Sequence, residues 1–182
     1  MILLCILCIG SHMQGCLVTD IFGKTDAVEE IAAALSVNST VAWRILEPYQ
    51  GERLEFADET TAYAYFQQHI GLRPYADLIA NELCDAQYSI AIGFSVGASV
   101  LWQYLGRSNT VNIEQAVLFY GSQIRNMPLC APKVPTHMIQ PISEPHFDIN
   151  ELNLKLAPFG NVTLEASKHL HGFMNRKSNN FD

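Results

Sequence analysis

Residues Tyr88–Gly106 read YSIAIGFSVGASVLWQYLG. An apolar run, Ile90–Phe94, stops at a serine with a glycine two residues away on either side, and apolar sequence with a helical period resumes at once. A short continuous apolar run of this kind fits a strand buried on both faces. Between strand and helix, Gly93-Phe94-Ser95-Val96-Gly97 is a G-x-S-x-G pentapeptide. Its physical purpose is exposure. The serine sits at the apex of a sharp, strained turn, and the glycines let strand and helix pass closely without side-chain clashes. The helix start behind Ser95 adds unpaired N–H groups and a positive dipole end. Such an end stabilises the anion formed when a hydroxyl attacks a carbonyl. The five letters alone are a weak signal; the strand–turn–helix context carries the reading. A phosphate loop would call for more glycines or a G-K-[ST] ending, and here Ala98-Ser99 follow.

Outward from this turn the chain alternates regularly. CLVTDIFG (16–23) reads as a buried strand ending in a turn, and TDAVEEIAAALS (25–36) as a helix capped by Thr25 or Asp26. TVAWRILEPY (40–49) is strand-like; ADETTAYAYFQQHIG (57–71) and RPYADLIANELC (73–84) are helical. After the Ser95 unit come strands in EQAVLFYG (114–121) and PTHMIQPIS (135–143), a helix in INELNLKLA (149–157) and a strand in NVTLEAS (161–167). Strands alternating with helices predict a three-layer α/β/α sandwich around a mostly parallel sheet, with right-handed crossovers. In such sheets ligands sit beyond the carboxyl ends of the strands, so the residue just after each strand is the place to look.

A serine nucleophile needs a base and an orienter for that base. The histidines after Ser95 are His137, His146, His169 and His171. His137 lies within an apolar strand and reads as a core residue; His146 is in the following loop. His169 and His171 follow the last strand, where a base belongs, and His171-Gly172-Phe173 is a tight turn able to hold an imidazole over the serine, which favours His171. For the acid, MIQPISEPHFD (138–148) offers Glu144 and Asp148. Glu144 is nearer the strand end; Asp148 also suits a helix cap.

The totals narrow the class. The chain has 182 residues, 49% apolar and 16% charged, enough for one domain with a real core, and a net charge of −7. That balance disfavours nucleic acid or an anionic membrane surface as partner. Five cysteines, Cys5, Cys8, Cys16, Cys84 and Cys130, are odd in number and scattered; Cys5-Ile-Leu-Cys8 reads as core-type or spurious sequence rather than a zinc or redox pair, and the others as small buried hydrophobes in a reducing, cytoplasmic compartment. There is no metal-ligand cluster, dinucleotide fingerprint or Walker-type loop. The nine apolar residues MILLCILCI are too short to span a bilayer and lack a signal peptide's basic start. Gly10-Ser11-His12-Met13 looks like the scar of a cleaved tag, so residues 1–12 are expected to be a tag remnant or non-native leader, with a single domain over 13–182.

These residues together resemble the dienelactone hydrolase family of α/β-hydrolases. Beyond Gly93–Gly97, TDIFG (19–23) is similar to the family's first-strand turn, FYGSQIR (119–125) to its Tyr-Gly strand end, and HGF (171–173) to its histidine turn. The resemblance runs from about Cys16 to Asn175, in the family's order. It implies a compact α/β-hydrolase fold with Ser95 as nucleophile, where members that cleave dienelactone use cysteine and many relatives use serine. It implies His171 as base and Glu144 at the acid position, where the family's usual Asp within G-x-x-D is here Pro141-Ile142-Ser143-Glu144. The backbone N–H groups of Ile21 and Val96 would form the oxyanion hole. Asp20 would hold the resting hydroxyl or shape the entrance, or else be a plain strand-end turn residue. Tyr120, Arg125, Trp43 and Tyr65 are candidates to line the cleft.

Only twelve residues separate Gly121 from Val134, leaving no room for a lid domain and predicting an open, shallow site. Relatives carry a helix after the histidine turn; here either that helix is missing or the face is closed by a homodimer. The expected activity is cofactor-free, metal-free hydrolysis of small esters, thioesters or lactones through an acyl-enzyme. The alternatives are a binding protein that kept the fold while its triad weakened, and an acyltransferase.

Overall fold

The computed structural model describes residues 13–37, 39–109 and 111–182; the expectations for residues 1–12, Cys5 and Cys8 included, lie outside them. The described chain forms six strands: β1 (Gln14–Val18), β2 (Ala42–Leu46), β3 (Ile90–Phe94), β4 (Ala116–Phe119), β5 (Thr136–Gln140) and β6 (Val162–Ala166). Five helices connect them: α1 (Asp26–Val37), α2 (Glu59–His69), α3 (Leu72–Cys84), α4 (Val96–Arg107) and α5 (Ile149–Leu156), with a 3-10 turn at Ser122–Asn126. The sheet order is β2-β1-β3-β4-β5-β6 and every pairing is parallel. The chain first steps from β1 outward to β2, then returns past β1 to β3. Its direction of travel reverses between β1 and β3, so a crevice opens at their carboxyl ends.

The strands alternate as a two-sided buried sheet demands. Cys16, Val18, Ala91, Leu118 and Met138 join α2, α3, α4 and α5 in one apolar core. Leu17, Ile92, Phe94 and Phe119 point the other way, onto Val28, Ile31 and Leu35 of α1 and onto Phe173 and Met174 of the chain's last turns. The outer layers are therefore unequal: four helices on one face, one helix and a run of turns on the other. Helix starts follow the expected chemistry. The Asp58 carboxylate accepts from Thr61 N–H at 2.7 Å at the head of α2, and Gly71, at φ 79°, sets the entry to α3. Among the described residues no helix is long and apolar enough to cross a membrane.

His137 and Cys84 sit differently from expectation. His137 is not a core residue. β5 turns it to the less covered face, where its half-exposed ring meets Glu165 of β6 at 2.8 Å. Cys84 is exposed at the end of α3, its thiol donating to Asn81 O, while Cys16 is buried.

The close passage of α4 over β1 and β3 is what makes the glycines necessary. A Cβ at Gly97 would run into the carbonyl oxygens of Val18 and Thr19, and one at Gly93 would stand 2.7 Å from Ala98 Cα. Both obstacles are backbone and cannot swing away. Gly97→Ala is therefore expected to destabilise by about 3 kcal/mol or more. Gly160→Ala, where a Cβ meets nothing within 4 Å, should stay within roughly 0.5 kcal/mol of wild type. Paired denaturant titrations compare them; equal midpoints would contradict this account of the crossing.

Candidate active site

Ser95 follows β3 directly and precedes the first residue of α4, with φ 51° and ψ −113°. A non-glycine residue rarely adopts a positive φ; here the tight strand-to-helix turn imposes it. Ser95 N–H donates to Phe119 O at 3.0 Å, and its carbonyl accepts from Ser99 N–H at 3.1 Å and Ser99 Oγ at 3.0 Å. The backbone is thus held from both sides and the half-buried side chain is left facing outward.

Ser95 Oγ lies 2.9 Å from His171 Nε2, and His171 Nδ1 lies 2.7 Å from Glu144 Oε1. The relay assembles residues 76 and 27 positions apart. The Glu144 side chain is only 6% exposed against 18% for the imidazole, so the carboxylate is the deeper member. Its loop is closed by a Glu144–Phe147 bridge and tied to the histidine loop by Ile142 N–H donating to His169 O at 2.9 Å. Asp148 does not reach His171. Its carboxylate accepts from Asn150 N–H at 2.9 Å and caps α5. His169 is likewise occupied elsewhere: Nδ1 meets Asp182 at 3.1 Å and the ring stacks on Phe173.

The loop after β1 faces the start of α4 across the crevice. In it, Phe22 N–H donates to Asp20 Oδ1 at 2.9 Å and Gly23 N–H to Asp20 O at 3.2 Å. Among the described residues the intervening Ile21 N–H has no acceptor. Its carbonyl is held by Tyr49 Oη at 2.5 Å. Val96 N–H, at the first position of α4, has no intrahelical acceptor.

Asp20 departs from both active roles expected of it. It neither bonds Ser95 nor stands at an entrance: it is buried, and its second oxygen accepts from Asn175 Nδ2 at 2.5 Å. Tyr120 also does not line an open cleft. It is 1% exposed, holds φ 40°, and packs its ring 4.8 Å from that of His171. Arg125 folds back, donating to Ser122 O at 2.6 Å with its guanidinium 4.5 Å above the Phe147 ring. Trp43 covers Gly15 on the α1 side of the sheet, and Tyr65 packs among Tyr49, Phe56 and His69. Asn175, Asn180 and Tyr49 are the polar contributors that the sequence does not signal. The first two lie in NRKSNN, which reads as an ordinary polar tail.

Burial pushes the Asp20 carboxyl up from 3.8 to about 6, against the opposing pull of the Phe22 N–H, Asn175 and the nearby His171. Its protonated form is favoured by folding. The resulting stability is fully present below about pH 4 and is lost as pH rises through 6, a swing on the order of 3 kcal/mol. Asp20→Asn cannot ionise, so whatever its melting temperature relative to wild type at pH 4, that difference should move in the variant's favour by about 6–12 °C by pH 7.5. Thermal melts across that range check this; a difference that does not move with pH would contradict it.

No family model matches the chain. YczH of Bacillus subtilis, an uncharacterised protein, is 34% identical over 125 residues, which make up 66% of this chain. The chain spans 60% of the length of that curated relative. Solved structures align over most of the chain. A candidate dienelactone hydrolase of Klebsiella pneumoniae superposes with a TM-score of 0.66 at 18% identity, over 91% of this chain and 79% of its own. A dienelactone hydrolase-like promiscuous phosphotriesterase from metagenomic libraries gives 0.66 at 17%, over 88% and 72%. Mouse alpha/beta hydrolase domain-containing protein 10 gives 0.60 at 9%, over 90% and 83%. The chain has the α/β-hydrolase fold that these structures share.

Proposed function

We propose that the chain is a serine hydrolase of the dienelactone hydrolase type, cleaving carboxylic esters, thioesters or lactones of small substrates. The observation that carries this reading is the unbroken Ser95–His171–Glu144 relay, at 2.9 and 2.7 Å, built on a positive-φ turn. His171 takes the Ser95 proton as Oγ attacks the substrate carbonyl carbon. Glu144 holds the imidazole with Nδ1 protonated and Nε2 free to accept, and stabilises the imidazolium that forms. The carbonyl oxygen, now negative, is bound by the Ile21 and Val96 N–H groups. His171 then returns the proton to the departing alcohol or thiol as the C–O or C–S bond breaks, leaving an acyl-Ser95 ester. Water, deprotonated by His171, attacks that ester and releases the acid and the serine. With a lactone the leaving hydroxyl, protonated by His171, stays tethered to the acyl group until hydrolysis.

The segment between β4 and β5, where a lid would be inserted, contains just the 3-10 turn. This supports an open site that accepts small substrates. The hydrolases among the superposed structures support the same chemistry class. A fluorophosphonate probe tests the reading. Peptide mapping is expected to find the label on Ser95, with no label on Ser95→Ala. A wild-type protein that neither labels nor hydrolyses a panel of esters and lactones would point instead to a binding protein on a hydrolase fold.

A further inference from the structure

One buried side-chain pair is not used by the hydrolytic steps. Asp20 and Asn175, 155 positions apart and 8% and 6% exposed, meet at 2.5 Å beneath the relay. Each end of the pair organises a different part of the site. On one side, Asp20 accepts from Phe22 N–H and, through its own carbonyl, from Gly23 N–H, which shapes the turn that leaves Ile21 N–H free. On the other side, Asn175 sits at the centre of the turns that carry His171. Its N–H donates to Gly172 O at 2.8 Å, its Oδ1 accepts from Lys177 N–H at 2.8 Å, and its carbonyl accepts from Ser178 N–H at 2.9 Å. Ser178 Oγ accepts from Asn180 N–H at 3.2 Å, and Asn180 Nδ2 donates to the His171 carbonyl at 2.9 Å. The hydrogen-bonded path from Asp20 therefore ends on the backbone of the base itself.

The geometry points to Asp20 and Asn175 as a pair of positioning residues that hold His171 in register with the oxyanion-binding turn; this rests on the hydrolase reading above. The physical case is one of economy of attachment. The histidine lies on a run of turns rather than on a strand or helix, so no ladder of backbone bonds fixes it to the sheet. Besides the backbone bond from Ile142 to His169, the buried, charge-assisted Asp20–Asn175 hydrogen bond ties these turns to the loop after β1. Burying a carboxylate with incomplete compensation is unfavourable, which is expected where a residue serves the site rather than the fold. Neither residue touches substrate in this scheme, and the effect is transmitted through the placement of the imidazole.

Swapping the pair tests this. In Asp20→Asn the new amide faces the Asn175 amide, and one of the two must give up an existing partner. In Asn175→Asp two carboxylates face each other. In the double variant D20N/N175D every hydrogen bond can be remade with donor and acceptor exchanged. The amide oxygen now at position 20 still accepts from Phe22 N–H, and the carboxylate now at position 175 still accepts from Lys177 N–H. Two readouts are taken at pH 7.5. One is the rate of Ser95 labelling by a fluorophosphonate. The other, which needs no turnover, is the downfield NMR signal of the His171 Nδ1 proton shared with Glu144. Each single variant should label about 10- to 100-fold more slowly and should lose or broaden the downfield signal. The swap should recover the labelling rate to within about 3-fold of wild type and restore the signal. Singles that label at the wild-type rate with the signal intact overturn the proposal, as does a swap that folds but recovers neither. If a single variant fails to fold, swap against wild type decides by the same two criteria. If wild type itself does not label, the hydrolase reading falls, and the proton signal still decides whether the pair positions His171.

Discussion

Ser95→Ala is expected to lower hydrolysis of p-nitrophenyl acetate by about 10⁶-fold in kcat, to a residue set by the oxyanion donors and binding alone. The loss follows from the relay, because no other hydroxyl stands within hydrogen-bond reach of His171 Nε2 among the described residues. The fold should survive. The turn is held by backbone bonds to Phe119 O and from Ser99 N–H, which alanine keeps, and the positive φ already imposed on serine is no worse for alanine. Circular dichroism and thermal melting should therefore coincide with wild type while turnover disappears. A correctly folded Ser95→Ala protein hydrolysing at the wild-type rate would falsify the nucleophile assignment.

Glu144→Gln should lower kcat by about 10⁴-fold with KM little changed. The amide keeps the volume of the carboxylate but presents an N–H₂ that can face His171 Nδ1, which favours the tautomer with Nε2 protonated. That tautomer cannot accept the Ser95 proton. The removed carboxylate is almost fully buried and 2.7 Å from the ring, so neither bulk water nor another acid can take its place. Asp148→Asn is the matched comparison. Asp148 caps α5 through Asn150 N–H, so the change should alter stability by at most about 1 kcal/mol and leave kcat within a few-fold. The reverse pattern, with Asp148→Asn inactive and Glu144→Gln active, would move the acid role to Asp148.

The contrast between these two carboxylates shows where sequence reading narrows and where it stops. Both lie in the loop after β5 and both are placed plausibly by chain order. Their separation into hydrogen-bond partner of His171 and helix cap depends on the Glu144–Phe147 bridge, which turns one inward and leaves the other at the head of α5. Nothing in the spacing of SEPHFD specifies that bridge. The choice between His169 and His171 is partly legible, because Gly172 permits the positive φ of 88° that the turn adopts. The partner that draws His169 away is Asp182, thirteen residues on. Asp20 is legible as a strand-end turn residue but not as a buried one. Its burial requires Asn175, and no local pattern connects positions 155 apart. His137 escapes sequence reading for a related reason: an apolar flank signals a strand, but which face of that strand is covered depends on what packs there.

What can be read from residue order alone is the alternation of strands and helices, the parallel three-layer class and the serine turn. Each rests on interactions within a few residues: side-chain period, helix capping, and the φ that glycine-flanked turns allow. The return of the chain past β1 to β3 is a global event. It brings the carboxyl ends of β1 and β3 together, lays α4 across Val18 and Thr19, and gathers Ser95, Glu144, His171 and the Asp20–Asn175 pair into one place. Long-range pairings are selected by how the whole sheet and its unequal layers pack, because a buried polar group must find its partner within the assembled fold. The chemistry is therefore visible one residue at a time, and its geometry comes only with the order of the strands.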